Sequence, residues 1–139
     1  MRLDIVTPER RLLSTDATSV EIPGTEGDMT VMANHERTIT TLRPGILKAE
    51  TSEGEQHFAV TGGFAEITPE ACTVIAERSY AVSDVTQELY NELVAEVQAR
   101  HEEAKTQNLP GPTDEIAKLM ADMVAMGTHI GLSTNQASL

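Results

Sequence analysis

Cysteine is nearly absent from this chain, and so are aromatic side chains. One cysteine, Cys72, excludes an intrachain disulfide and fits a reducing compartment. It sits in the apolar run from Ala71 to Ala76, as an inert buried strand residue would. There is no Trp, and aromatics make up 3% of the sequence, so any core must be built from Val, Ile, Leu, Met and Ala. Basic residues are scarce too: 10 Lys and Arg stand against 22 Asp and Glu. Residues 1–82 hold 13 acidic and 7 basic side chains, and residues 83–139 hold 9 and 3, so each part is net −6. Without a basic patch, nucleic acid is excluded as a partner and direct adhesion to anionic lipid is disfavoured. No run approaches the roughly 20 apolar residues of a membrane span, and Met1-Arg2-Leu3-Asp4 opens no signal peptide.

What is present changes period partway along. Over residues 1–82 the chain reads as short strands. Leu3, Ile5 and Thr7 alternate with polar neighbours, and Pro8-Glu9-Arg10 turns the chain into a return strand over Arg11 to Ser14. Val20-Glu21-Ile22 alternates and stops at Pro23-Gly24. Thr38 to Leu42 is extended, Pro44-Gly45 turns, and Ile46 to Glu50 leads to a hairpin tip at Glu53-Gly54. His57 to Val60 and Phe64 to Ile67 flank Gly62-Gly63, a bulge or a close backbone approach. After Pro69-Glu70 comes Thr73-Val74-Ile75. Short strands separated by Gly and Pro turns predict an antiparallel β-sandwich.

From Asp84 the period becomes helical. Val85, Leu89, Leu93 and Val97 recur at i+4 with Val94 beside them, Asp84 and Gln87 form a capping pair, and the helix ends near Gln107. A loop over residues 108–112 precedes a second helix capped by Thr113 or Asp114. Its stripe is Ile116, Leu119, Met120, Met123, Val124 and Gly127, with the methionines read as pliable packing. The expected architecture is therefore α+β and mainly β: a sandwich over 1–82, then an antiparallel two-helix hairpin over 83–139. The small polar residues 131–139 are expected to fray.

Residues for chemistry are dispersed. His35, His57, His101 and His129 lie far apart, with no metal-ligand spacing. There is no phosphate loop or nucleophile elbow, and Gly62-Gly63 lacks the lysine and helix that such a loop needs. Glu26 with Asp28, and Glu102 with Glu103, sit in polar contexts and read as a solvated turn and a solvated helix face, whereas general acid–base work needs a carboxylate set apart by burial or neighbours. Neither catalysis, a cofactor nor a metal is expected.

Five segments together resemble the epsilon subunits of F-type ATP synthases: Val20-Glu21-Ile22-Pro23-Gly24-Thr25-Glu26-Gly27-Asp28, its continuation Met29 to His35, Thr41-Leu42-Arg43-Pro44-Gly45, Phe58 to Ile67, and Cys72 to Glu77. The resemblance implies a non-catalytic rotor subunit that couples proton-driven rotation of the c-ring to ATP synthesis. Its partners would be the gamma subunit, the c-ring and, were the hairpin to extend, the alpha/beta catalytic head. It would be peripheral, on the cytoplasmic face of a bacterial inner membrane. By the same resemblance Glu26, Gly27 and Asp28 would face the ring, and Thr7 and His35 the gamma subunit. Thr30 replaces a usual glycine, which implies a wider turn.

Two departures bear on regulation. Some members bind ATP at the start of the first helix. There Asp84 is kept, but Gln87 stands for Arg and Glu88 for Ala, so a polyphosphate would meet an added carboxylate and a missing guanidinium. The second helix carries only Lys118 against Asp114, Glu115 and Asp122. A hairpin so acidic is expected to inhibit ATP hydrolysis weakly or not at all. The alternative reading is a free-standing β-sandwich that binds a ligand or protein, with the hairpin as a lid.

Overall fold

The computed structural model describes residues 1–106 and 110–137. Seven strands come first: β1 (Arg2–Val6), β2 (Arg11–Gly24), β3 (Gly27–Met32), β4 (Thr38–Thr41), β5 (Gly45–Thr51), β6 (Gly54–Ile67) and β7 (Ala71–Ala81). A short 3-10 turn, Val82–Asp84, precedes α1 (Gln87–Thr106) and α2 (Pro110–Ile130). Two compact units result, Met1–Val82 and Ser83–Leu139.

In the first unit the pairing divides into two layers. One runs β4, the far half of β6, β7, β1 and the first part of β2. The other runs β3, the second part of β2, β5, the near half of β6 and the end of β7. This is the expected sandwich, antiparallel except that β1 and β7 run parallel. They are the two ends of the sheet unit, so no hairpin dictates their direction.

Alternation fills the space between the layers. Leu3 and Ile5 of β1, Val20 and Ile22 of β2, Leu47 of β5, Val60 and Ile67 of β6, and Val74 of β7 are all fully buried. Phe58 is the one aromatic in this cluster. Cys72 lies among these side chains, and burial pushes its thiol from 9.0 up to about 12. The sign of the linkage is set by the unfolded chain, which ionises first. Stability is therefore expected to fall between pH 9.0 and about 12 through this thiol, and a Cys72→Ala variant should lose that part of the decline in urea titrations.

β2 and β6 each serve both layers as single strands, where the sequence suggested two strands apiece. β2 passes its corner with a register shift between Ala17 and Ser19. β6 passes at Gly62 and Gly63, at φ +78° and +98°. Its register with β7 is unchanged on both sides, from Thr61↔Arg78 to Gly63↔Ala76. The glycines therefore mark a close backbone approach and not a bulge. The segment after Gly27 is also a strand, and Thr30 pairs with Glu21 within it, so the turn is not widened.

In the second unit Thr86, not Asp84, caps α1: its Oγ1 accepts from the Leu89 amide at 3.1 Å. Asp84 is taken up by the 3-10 turn. The buried face of α1 is Tyr90, Leu93, Val94, Val97 and Ala104, so Leu89 gives way to Tyr90. Of the loop expected over 108–112, residues 108 and 109 lie outside the described residues. Residues 110–112 already form the first turn of α2, where prolines are tolerated because those amides need no helical partner.

Tyr90 is fully buried, and its hydroxyl donates to the Met123 carbonyl at 2.8 Å. Its ring covers Gly127, where an added Cβ would lie 2.5 Å from Cζ and Oη. Gly127→Ala would favour the helix by about 1 kcal/mol, but the ring is hydrogen-bonded and enclosed and cannot swing away. The clash is expected to win, destabilising the hairpin by about 1–3 kcal/mol in thermal unfolding followed by circular dichroism. Adding Tyr90→Leu should recover most of that loss.

The tail does not fray over the described residues. Gly131, at φ +90°, ends α2, and the Leu132 amide bonds back to the Gly127 carbonyl at 2.9 Å. The Gln87 side chain then grips Ser133 twice, through its carbonyl and its amide, each at 2.9 Å. Gln98 donates to the Gln136 carbonyl at 2.7 Å, and Ala137 is buried. Residues 138 and 139 lie outside the described residues.

Candidate functional site

Two features of the sandwich surface stand out. The first is the turn between β2 and β3. Gly24 pairs with Gly27, leaving Thr25 and Glu26 as a two-residue tip. The turn is held from behind by the segment that follows β4. Leu42 bridges Gly24, the Thr25 amide donates to the Thr41 carbonyl at 2.9 Å, and the Arg43 amide donates to the Pro23 carbonyl at 3.0 Å. The Arg43 guanidinium adds one bond to the Gly24 carbonyl and one to Asp28 Oδ1, each 2.5 Å.

Asp28 is thus half exposed but already paired. Glu26 is exposed and has no ion pair among the described residues. Of the three residues assigned to this turn from the sequence, Glu26 presents the free charge, Gly27 supplies the φ of +132° that closes the hairpin, and Asp28 joins Arg43. Arg43 escaped the sequence reading. The signal for it was an isolated cation inside Thr41-Leu42-Arg43-Pro44-Gly45, in a chain poor in cations.

The second feature is an apolar stripe across the outer face of the first layer. Phe64 of β6 pairs with Ile75 of β7, and Ile75 with Val6 of β1. Partners in register point to the same face. Thr41 of β4 continues the row beside Phe64, and Ile39 stands two residues along. Ile39 is 72% exposed, Phe64 40% and Ile75 37%. The strand pattern marks these as outward positions, since Ala65 and Val74 beside them are buried.

Thr7 and His35, the other two expected site residues, are not brought together. Thr7 follows Val6, where β1 leaves β7 beyond Ile75, and its Oγ1 lies 3.3 Å from both the amide and the carbonyl of Arg10. His35 sits at the other end of β7. The amide of its neighbour Asn34 bonds the Pro69 carbonyl at 2.8 Å, and its own Nδ1 donates to the Glu36 carbonyl at 2.8 Å. The two residues bracket the apolar face instead of forming one patch.

Among the described residues no His, Cys, Asp and Glu side chains group as metal ligands. No helix among them is long and apolar enough to cross a membrane. A closed sandwich with a braced charged turn and an exposed apolar face, followed by a helical hairpin, defines a class: small two-unit proteins with a β-sandwich first and two helices after it.

Comparison with known proteins gives the particular family. The model for the "ATP synthase, Delta/Epsilon chain, beta-sandwich domain" matches residues 1–82. The chain is 47% identical over 133 residues to the ATP synthase epsilon chain of Ruegeria sp. (strain TM1040), covering 95% of this chain and 97% of that one. It is 45% identical over 141 residues to the epsilon chain of Paracoccus denitrificans (strain Pd 1222), covering 99% and 95%. A chain in the mitochondrial ATP synthase of Euglena gracilis shares the fold, with a TM-score of 0.67 at 19% identity over 92% of this chain and 79% of that one. The chain belongs to the ATP synthase epsilon-chain family, whose members are non-catalytic subunits of that complex.

Proposed function

We propose that this subunit is the connector of the rotor. Its sandwich joins the gamma shaft to the c-ring, so that proton-driven rotation of the ring reaches the catalytic head. The observation that carries this is the similarity to epsilon chains over almost the whole length, both units included. A connector that transmits torque must be stiff, and a close-packed aliphatic sandwich resists deformation.

In this reading the tip at Glu26 meets basic loops of the ring, with Arg43 bracing the turn and holding Asp28 in place. The apolar face of Val6, Ile75, Phe64 and Ile39 lies against the shaft, with Thr7 and His35 at its two ends. The complex sits on the cytoplasmic face of a bacterial membrane, and this subunit is held there by its partners. The hairpin is a weak inhibitor of hydrolysis or none, because a second helix with Lys118 as its one Lys or Arg has little to offer an acidic loop of the head. The tail bonds of Gln87 and Gln98 favour a folded hairpin over an extended one.

One preparation tests the proposal. The synthase is purified with the intact chain and with a chain lacking residues 83–139. Both forms are expected in stoichiometric amount, because the sandwich alone holds the partners, and ATP hydrolysis should change little. Loss of the truncated chain from the complex contradicts the placement, and a many-fold rise in hydrolysis contradicts the weak-inhibitor assignment.

A further inference from the structure

The chain itself joins α1 to α2 at one end of the hairpin. At the other end, where α1 starts and α2 finishes, the chain does not link them. Residues 131–137 take up that place. Gly131 reverses the chain at φ +90°, and the Leu132 amide bonds the Gly127 carbonyl at 2.9 Å. Those two residues complete a helix cap, and a cap needs nothing further.

The bonds made after Leu132 lead to α1. The Gln87 carboxamide pairs with Ser133 as one peptide group pairs with another in a sheet. Its Nε2 donates to the Ser133 carbonyl and its Oε1 accepts from the Ser133 amide, each at 2.9 Å. Nε2 also donates to Asn91 Oδ1 at 3.0 Å, which fixes the plane of the carboxamide. About three turns further along α1, Gln98 donates to the Gln136 carbonyl at 2.7 Å. The Ala137 amide closes a turn on the Thr134 carbonyl at 2.9 Å, and Ala137 is buried. The tail thus follows α1 from its first turn to its middle, a span of about 16 Å at the helical rise. It continues α2 covalently and is bonded to side chains of α1. The helices therefore cannot part at this end without breaking these bonds.

The bonds from Gln87 and Gln98 to the tail join neutral groups, so salt does not screen them as it would an ion pair. They are also few. Ordering residues 133–137 costs conformational entropy of the same order as three neutral hydrogen bonds return. A contact balanced in this way is releasable.

We propose that residues 131–137 are a strap that holds the hairpin shut, and that its release from Gln87 and Gln98 is the step that lets the buried faces of α1 and α2 part. Its bearing on ATP hydrolysis rests on the function proposed above, but the strap itself is tested on the full-length chain alone, so the two fail separately. Hydrogen exchange of backbone amides is followed by NMR in the full-length chain and in a Gln87→Ala, Gln98→Ala double variant. Alanine favours a helix more than glutamine does, so α1 itself is not weakened. The amides of Leu93, Val94 and Val97 in α1, and of Met123, Met126 and Gly127 in α2, are expected to exchange about tenfold faster or more, together with the Ser133 amide. Each single variant keeps one attachment and should fall between. Ser133→Ala should leave all these rates unchanged, because Gln87 holds the backbone of that residue and not its hydroxyl. Unchanged helix amides in the double variant, with faster exchange confined to residues 133–137 or absent altogether, would overturn the proposal. So would a response to Ser133→Ala as large as that of the double variant.

Discussion

Replacing Gly63 with alanine is expected to unfold the β-sandwich. Gly63 has φ +98°, a conformation that costs an L side chain strain by itself. The larger cost is spatial. A Cβ there would lie 2.0 Å from the Ile75 carbonyl oxygen and 2.9 Å from Ala76 Cα. Both obstacles are backbone in the paired strand, so relief requires β6 and β7 to part. They would part at the corner where β6 passes between the layers and where the Leu42 amide bonds the Gly63 carbonyl at 2.9 Å. The loss should exceed about 4 kcal/mol, a large share of the stability of a small domain. Gly54 separates strain from collision. It also has positive φ, +104°, but nothing lies within 4 Å of an added Cβ. Gly54→Ala should cost about 1–3 kcal/mol, the strain alone. Urea unfolding of both variants checks the pair, and equal losses would mean that β7 gives way more easily than the geometry allows.

The sequence made the alternation legible because it is a local property. Leu3 with Ile5, and Val20 with Ile22, announce their faces within three residues, and the shift from period two to period four near Asp84 marks where the helices begin. What was not legible depends on partners distant in the chain. Pro23-Gly24 ends β2 as it reads, but Gly62-Gly63 looks like a strand end and sits inside β6, because a corner between layers uses the same residues as a turn. Thr86, Asp84 and Ser83 are all cap types, and only the geometry of the first turn selects Thr86. Tyr90 looks misplaced beside Leu89 until Gly127, 37 residues on, supplies the space for its ring. The pairing of Arg43 with Asp28 needed the fold, since opposite charges 15 residues apart carry no local mark. Tail residues 131–137 are small and polar, as loose ends are, but the glutamines that hold them lie on α1.

The apolar face carries the other large effect. Changing both Phe64 and Ile75 to glutamate should leave the isolated subunit folded and, on the proposed placement of this face against the gamma shaft, abolish that contact. More than a third of each side chain is already in water. Neither belongs to the buried cluster that holds the layers together, and the only other Phe, Phe58, does. Stability to urea should therefore change by less than about 1 kcal/mol, as for surface substitutions. Binding responds differently, because in an interface the two positions would be desolvated together. An apolar contact would be replaced by two carboxylates with no partner, and a buried unpaired charge costs several kcal/mol. A loss of about 3 kcal/mol or more corresponds to at least roughly a hundredfold in affinity. Ile39→Glu should do less, since Ile39 stands off the paired row and is already 72% exposed. Sedimentation or a pull-down with the purified gamma subunit reads the binding, and unfolding of the same samples reads the fold. Undiminished binding by the double variant would move the shaft contact to another face, whereas loss of folding would mean that this pair is part of the core after all.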